Sequence, residues 1–190
     1  MKEVRIHGRG GQGVVTAAEL IATAGFLAGF ETQAFPLFGV ERSGAPISAF
    51  ARLSTKKIIA KDQVYHPDFL IIQDSTLLNQ KNIFSGISDQ TLIIINSEQT
   101  SKELAIQIKK ELSIKIREKN IFAAPATEIA LRIIGKNIIN TVILGIFAKV
   151  SQMLTLNDLE KAITEKFQNK GQDIVKKNIQ AIKEAYDYQK

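Results

Sequence analysis

The stretch R-I-H-G-R-G-G-Q-G-V-V-T-A-A-E-L-I, residues 5–21, decides how the rest of the chain is read. Its first residues continue an alternation of apolar and polar side chains that starts at Glu3, which predicts a strand over 3–7. Six residues follow, Gly8, Arg9, Gly10, Gly11, Gln12 and Gly13, four of them glycine. Val14 to Phe30 is then apolar and rich in small residues, which predicts a buried helix ending near Gly29. Gly8, Gly10 and Gly13 match G-x-G-x-x-G between a strand and a helix, the context in which glycines let backbone approach a pyrophosphate at a helix N-terminus. Arg9 adds a cation able to pair with a phosphate through two N–H groups.

Two features separate this loop from a dinucleotide site. A ribose-binding acid belongs about 20 residues beyond the glycines, at the end of the second strand. Gln33 and Ala34 occupy that neighbourhood, and Glu31 stands at the strand's start. Gly11 and Gln12 also give the loop more than a simple turn needs. The loop therefore reads as facing a ligand or a partner, against the plainer reading of a turn that only lets the helix pack.

Working outward, E-T-Q-A-F-P-L-F-G reads as a second strand stopped by Pro36 and Gly39, so the chain opens with a βαβ unit. V-E-R-S-G-A-P, residues 40–46, is a polar loop at the same sheet edge, and its adjacent charges Glu41 and Arg42 make it the second candidate site. Residues 47–54 alternate as a strand, and 57–60 alternate loosely, suggesting a hairpin across Thr55 and Lys56. F-L-I-I-Q (69–73), T-L-I-I-I-N (91–96) and I-F-A-A-P-A (121–126) read as strands. Asp74 and Ser75 suit a cap, as do Ser97 or Thr100 before a helix to about Lys110; Thr127 with Glu128 opens another helix. From Asn140 onward the pattern is helical, with Asn140 and Asn157 in capping positions. The fold class expected is α/β: a Rossmann-like open sheet with helices on both faces, a glycine-rich first βα loop and a helical C-terminus. Residues 1–190 read as a single domain.

Composition narrows the chemistry. Apolar residues make up 45% of the 190, enough for a full core, and the net charge is +6. The sequence has no cysteine, so it offers no disulfide, no thiol nucleophile and no thiolate ligand for an iron–sulfur cluster. Its two histidines, His7 and His66, lack the spacing of a zinc site. No apolar run reaches the length that spans a bilayer, and the opening M-K-E-V-R-I-H-G lacks the hydrophobic stretch of a signal peptide. A cytoplasmic protein with no membrane partner is expected. Base-reading modules are missing, and the basic residues alternate with Glu and Asp, so no nucleic acid is expected as partner. His7 beside the loop reads as a packed, hydrogen-bonded residue, and Asp74 and Asn140 as caps. No catalytic acid, base or nucleophile is assigned, and no metal ligand.

Taken together and in order, H-G-R-G-G-Q-G-V-V-T-A-A-E and Q-A-F-P-L-F-G-V-E-R-S-G-A-P resemble the gamma subunit of 2-oxoacid:ferredoxin oxidoreductases, with pyruvate:ferredoxin oxidoreductase (pyruvate synthase) the nearest member. H-P-D-F-L-I-I-Q-D-S-T-L-L, N-T-V-I-L-G-I-F and K-N-I-Q-A-I-K-E-A-Y-D extend the similarity over nearly the whole chain. The sequence departs from the family pattern at Ala185, where a Gly is expected, and in the filling of V-E-R-S-G. The resemblance implies oxidative decarboxylation of a 2-oxoacid to acyl-coenzyme A and CO2, with electrons passing to ferredoxin or flavodoxin. It implies thiamine diphosphate, Mg2+ and [4Fe–4S] clusters on alpha, beta and delta-type partner subunits, and no cofactor bound by this chain alone. Gly8, Arg9, Gly10, Gly11, Gln12 and Gly13, then Glu41 and Arg42, are the residues expected to face coenzyme A or a partner. Two other readings stay open: a stand-alone NAD(P)-binding protein, and a purely structural subunit.

Overall fold

The computed structural model describes residues 1–37 and 44–188. Six strands form one sheet in the order β2-β3-β1-β4-β5-β6: β1 is Lys2–Arg9, β2 Glu31–Pro36, β3 Pro46–Ser54, β4 Phe69–Ile72, β5 Leu92–Asn96 and β6 Ile121–Ala124. The helices are α1 (Val14–Leu27), α2 (Ser101–Leu112), α3 (Ala126–Ile133), α4 (Ile139–Ser151), α5 (Leu156–Phe167) and α6 (Gln172–Asp187). Short 3-10 turns at Ser75–Asn79 and Lys81–Phe84 join β4 to β5.

The central strands are apolar on both sides because both faces are covered. Ile71 and Ile94 point into a core shared with α1, α3, α4, α5 and α6. Leu70, Ile72, Ile93 and Ile95 point the other way, against Leu104 and Ile108 of α2 and against Leu77, Leu78, Ile83 and Phe84 of the 3-10 turns. The α/β architecture with helices on both faces and a helical C-terminus is as the sequence predicts.

The strand pairing is not. β4 runs parallel to β1, but β3 runs antiparallel to it, and β2 pairs only with the far edge of β3. The expected β1-α1-β2 unit therefore exists with β3 inserted between its two strands. The expected hairpin across Thr55 and Lys56 does not form, and 57–60 has no strand. β3 instead returns beside β2, since that pairing seats Ala49, Ala51 and Leu53 in the core under α1. β1 also runs further than expected, through Gly8 and Arg9, so the connecting loop is only Gly10 to Gly13. Asn157 is not a cap: Thr155 caps α5, its hydroxyl accepting from the Asp158 N–H while the Asp158 carboxylate accepts from the Thr155 N–H.

On the face of β1 and β3 away from α1, two buried arginines do the covering. Arg52 donates to Glu3 Oε1 (2.8 Å), Gln33 Oε1 (3.0 Å) and the Asp62 carbonyl (2.7 Å). Arg5 donates to the carbonyls of Val64, Tyr65, Ile83 and Ser85. Arg5 satisfies buried and part-buried carbonyls, and Arg52 part-buried ones, of irregular segments that no ladder reaches, and together they tether the long connection from β3 to β4.

Candidate functional site at the glycine loop

The loop sits at the sheet edge where the parallel strands end, and it is held by its own side chains. Gln12 Oε1 accepts from the Arg9 backbone N–H (2.8 Å), and Gln12 Nε2 donates to Asp74 Oδ2 (2.7 Å). Asp74 caps the turn at Ser75–Asn79, accepting from the Thr76 N–H (3.0 Å) and hydroxyl (2.5 Å). Arg9 reaches the same pair: Nε lies 3.3 Å from Asp74 Oδ2, and Nη2 donates to the Thr76 hydroxyl (2.6 Å). Burial raises the Asp74 carboxyl, but hydrogen bonds from Thr76 and Gln12 and the charge of Arg9 outweigh it, and its pKa is lowered overall.

The far side of the loop is tied to the β2–β3 connection. The Gly10 N–H donates to the Ala45 carbonyl (2.8 Å), the Gly44 N–H to the Gly10 carbonyl (3.1 Å), and Arg9 Nη1 to the Gly44 carbonyl (3.1 Å). The two candidate loops thus meet through Gly44 and Ala45. Glu41 and Arg42 lie outside the described residues.

The glycines divide by role. A Cβ on Gly8 would lie 2.6 Å from Val14 Cγ2, and one on Gly13 2.5 Å from Asn140 Nδ2. Gly13 also has φ of 71°, a left-handed conformation that favours glycine. These two let α1 close onto β1 and α4. Gly11 is exposed, with open space where a side chain would stand. Beside it α1 begins without a side-chain cap and without an acid in its first turn; the first helical N–H to find an acceptor is that of Ala17, on the Gly13 carbonyl (2.9 Å). The preceding donors and the helix dipole make this end electropositive.

Beneath the loop lie amides that the sequence reading missed or placed differently. Gln73 is fully buried, with neither amide atom paired within the described residues. Asn140 is no cap: its side chain packs on Gly13, and its buried Oδ1 has no partner among the described residues. Asn96 links the next strand end, donating to the Gln73 carbonyl (2.9 Å) and Thr127 Oγ1 (2.8 Å). A glutamine closing the apolar run F-L-I-I-Q is the signal by which Gln73 was findable. His7 faces away from this site, on the Arg5 side of the sheet. Burial, and secondarily the Arg5 charge, push its pKa down to about 3, so it is neutral, and its Nε2 lacks the hydrogen bond the sequence reading expected.

The geometry speaks against a dinucleotide. In that fold the strand after the first helix lies beside the first strand and brings its acid to the ribose. Here β3 fills that place, with Gly8 opposite Ile47 and Arg9 opposite Pro46. Among the described residues no cluster of His, Asp and Glu is placed to hold a metal ion, and no helix is long and apolar enough to cross a membrane. What the site offers is a hydrogen-bonded loop beside an uncapped, electropositive helix start.

The comparisons with known proteins agree with the fold. The pyruvate/ketoisovalerate oxidoreductases common subunit gamma of Pyrococcus furiosus is 42% identical over 98% of this chain and 96% of its own length. Pyruvate synthase subunit PorC of Methanocaldococcus jannaschii is 41% identical, over 98% and 96%. The crystal structure of pyruvate oxidoreductase subunit PORC from Thermotoga maritima superposes with a TM-score of 0.83 at 32% identity, covering 98% of this chain and 95% of that one. Its homologues are thus gamma, or PorC, subunits of pyruvate and 2-oxoacid ferredoxin oxidoreductases. Residues 3–188 match the family described as pyruvate ferredoxin/flavodoxin oxidoreductase, and the chain belongs to that family.

Proposed function

We propose that this chain serves, as one gamma-type domain, in a cytoplasmic multi-subunit 2-oxoacid:ferredoxin oxidoreductase, docking against alpha, beta and delta-type subunits and presenting its glycine loop to coenzyme A. The enzyme converts a 2-oxoacid and coenzyme A to acyl-coenzyme A and CO2, and two electrons pass to ferredoxin or flavodoxin. Thiamine diphosphate with Mg2+ and [4Fe–4S] clusters, held by the partner subunits, supply decarboxylation and electron transfer. The cysteine-free sequence agrees with that division of labour.

The observation that carries the coenzyme A reading is the uncapped start of α1 beside exposed Gly11, over the Gln73 amide and Asn140 Oδ1, which have no partner among the described residues. Free N–H donors at a helix N-terminus suit phosphate. Arg9 contributes mainly by fixing the loop, since its donors are already engaged. The chain's part in the reaction is then positioning of the acyl acceptor, which lowers the entropic cost of transfer.

Thr16→Asp in the reconstituted enzyme tests this. An acid in the first turn favours the helix but repels an incoming phosphate. The expected result is a KM for coenzyme A raised by about tenfold, with the KM for the 2-oxoacid and subunit assembly unchanged. An unchanged KM for coenzyme A favours the purely structural subunit, with the loop buried against a partner.

A further inference from the structure

The glycine loop leaves the opposite face of β1 and β3 unexplained. A cleft of about 390 Å³ opens there. Its floor is a grid of four side chains from adjacent strands: Arg5 stands opposite Phe50 and His7 opposite Ser48. Its walls are the segments around Val64–Tyr65 and Ile83–Ser85, held in place by the Arg5 Nη atoms through four carbonyls.

We propose that this cleft is a receptor for one carboxylate group carried on a short apolar body. Arg5 is only 7% exposed, yet within the described residues it forms no ion pair, and its Nε–H has no acceptor. Arg52, buried on the same face, is matched by Glu3 at 2.8 Å and Asp62 at 3.5 Å. A guanidinium balanced by carbonyl dipoles alone is a buried charge lacking its counter-charge, which is costly to keep. The described lining of the cleft contains no Asp or Glu to supply one. His7 beside it is neutral and has an unpaired Nε2, so it adds a polar contact without a second positive charge. Phe50 on the floor and Val64 and Ile83 on the walls give the cleft an apolar surface, and the volume suits a small ligand. The carboxylate comes either from a free acid or from an Asp or Glu side chain of a partner subunit; the chemistry is the same.

The test uses the full chain labelled with 15N-histidine, titrated with isovalerate and with its neutral isostere isovaleramide. The expected result is a saturable shift of the His7 ring resonances and a raised Tm with the acid, neither occurring with the amide. Arg5→Gln weakens acid binding by about tenfold or more. Ser48→Leu, which fills the cleft and keeps the charge, removes binding even if Arg5→Gln fails to fold. Repeating the titration on the assembled oxidoreductase separates the sources: retained binding marks a free-acid site, and loss on assembly marks a partner's carboxylate. Equal effects of acid and amide, or no binding of acid up to roughly 50 mM, overturn the proposal. So does tighter binding by Glu41→Gln, because the counter-charge is then the chain's own.

Discussion

Gln12 shows how a residue chosen for a ligand can serve its own loop. Its amide spans Arg9 and Asp74, closing the turn at both ends. Gln12→Ala removes two partly buried hydrogen bonds and is expected to cost about 1–3 kcal/mol, read as a lower urea midpoint and faster exchange of the Arg9 amide proton. His7 makes a second prediction. Its folded pKa of about 3 lies below the ordinary 6.5, so between these values the unfolded chain binds the proton and the folded chain does not. Stability from this residue is complete above pH 6.5 and declines as pH falls toward 3, by an amount on the order of a few kcal/mol. His7→Asn is expected to flatten that part of the stability–pH curve; an unaltered slope contradicts the assignment. Of the loop residues, Gly8 and Gly13 were legible as positions that need glycine. Their partners Val14 and Asn140 were only half legible, because Asn140 arrives from a helix over 120 residues away and no local pattern encodes that approach.

At the scale of elements, α4 and α6 meet at a point where one atom too many is decisive. A Cβ on Gly145 would stand 2.1 Å from the Ile182 carbonyl oxygen, a backbone atom that moves only if the helix moves. Alanine favours an isolated helix over glycine by about 1 kcal/mol, yet Gly145→Ala is expected to destabilise the protein by about 1–3 kcal/mol. Chemical denaturation of the two chains, with far-ultraviolet circular dichroism as signal, decides the sign. Most elements were readable from local pattern: the apolar runs ending at Gln73 and Asn96 gave β4 and β5, and T-x-x-D at Thr155 to Asp158 carries a capping box that Asn157 masked. The hairpin at residues 47–60 was misread because K-I-I-A alternates as weakly as a real edge strand. What rejects it is the match of β3 to β2 and β1, a fact of partners and not of spacing.

At the scale of the whole molecule, the sheet has two differently built halves. From β1 to β6 it is parallel, and β4 to β6 are largely apolar on both faces; from β1 to β2 it is antiparallel, with arginines replacing helices on one face. Arg52→Ala is expected to release residues 60–63 and leave the Glu3 carboxylate without its partner, at a cost of about 3–5 kcal/mol. Limited proteolysis should then cut first in that segment, where the parent chain resists. This division was not legible in advance. The α/β class follows from alternating strand and helix signals, but strand order depends on long-range pairing that the sequence encodes only collectively.

The inserted strand also orders events in time. Because β3 joins β1 to β2, the first 54 residues already contain three paired strands and the helix that covers them. On the ribosome this portion is able to fold before the remainder has been synthesised, as domains do when their contacts lie early in the chain. Until residues 69–72 emerge, however, the other edge of β1 stands bare and able to pair with any neighbouring nascent strand. For a chain whose homologues are subunits of larger enzymes, the interval between translating residue 54 and residue 72 is when a wrong partner has its opportunity.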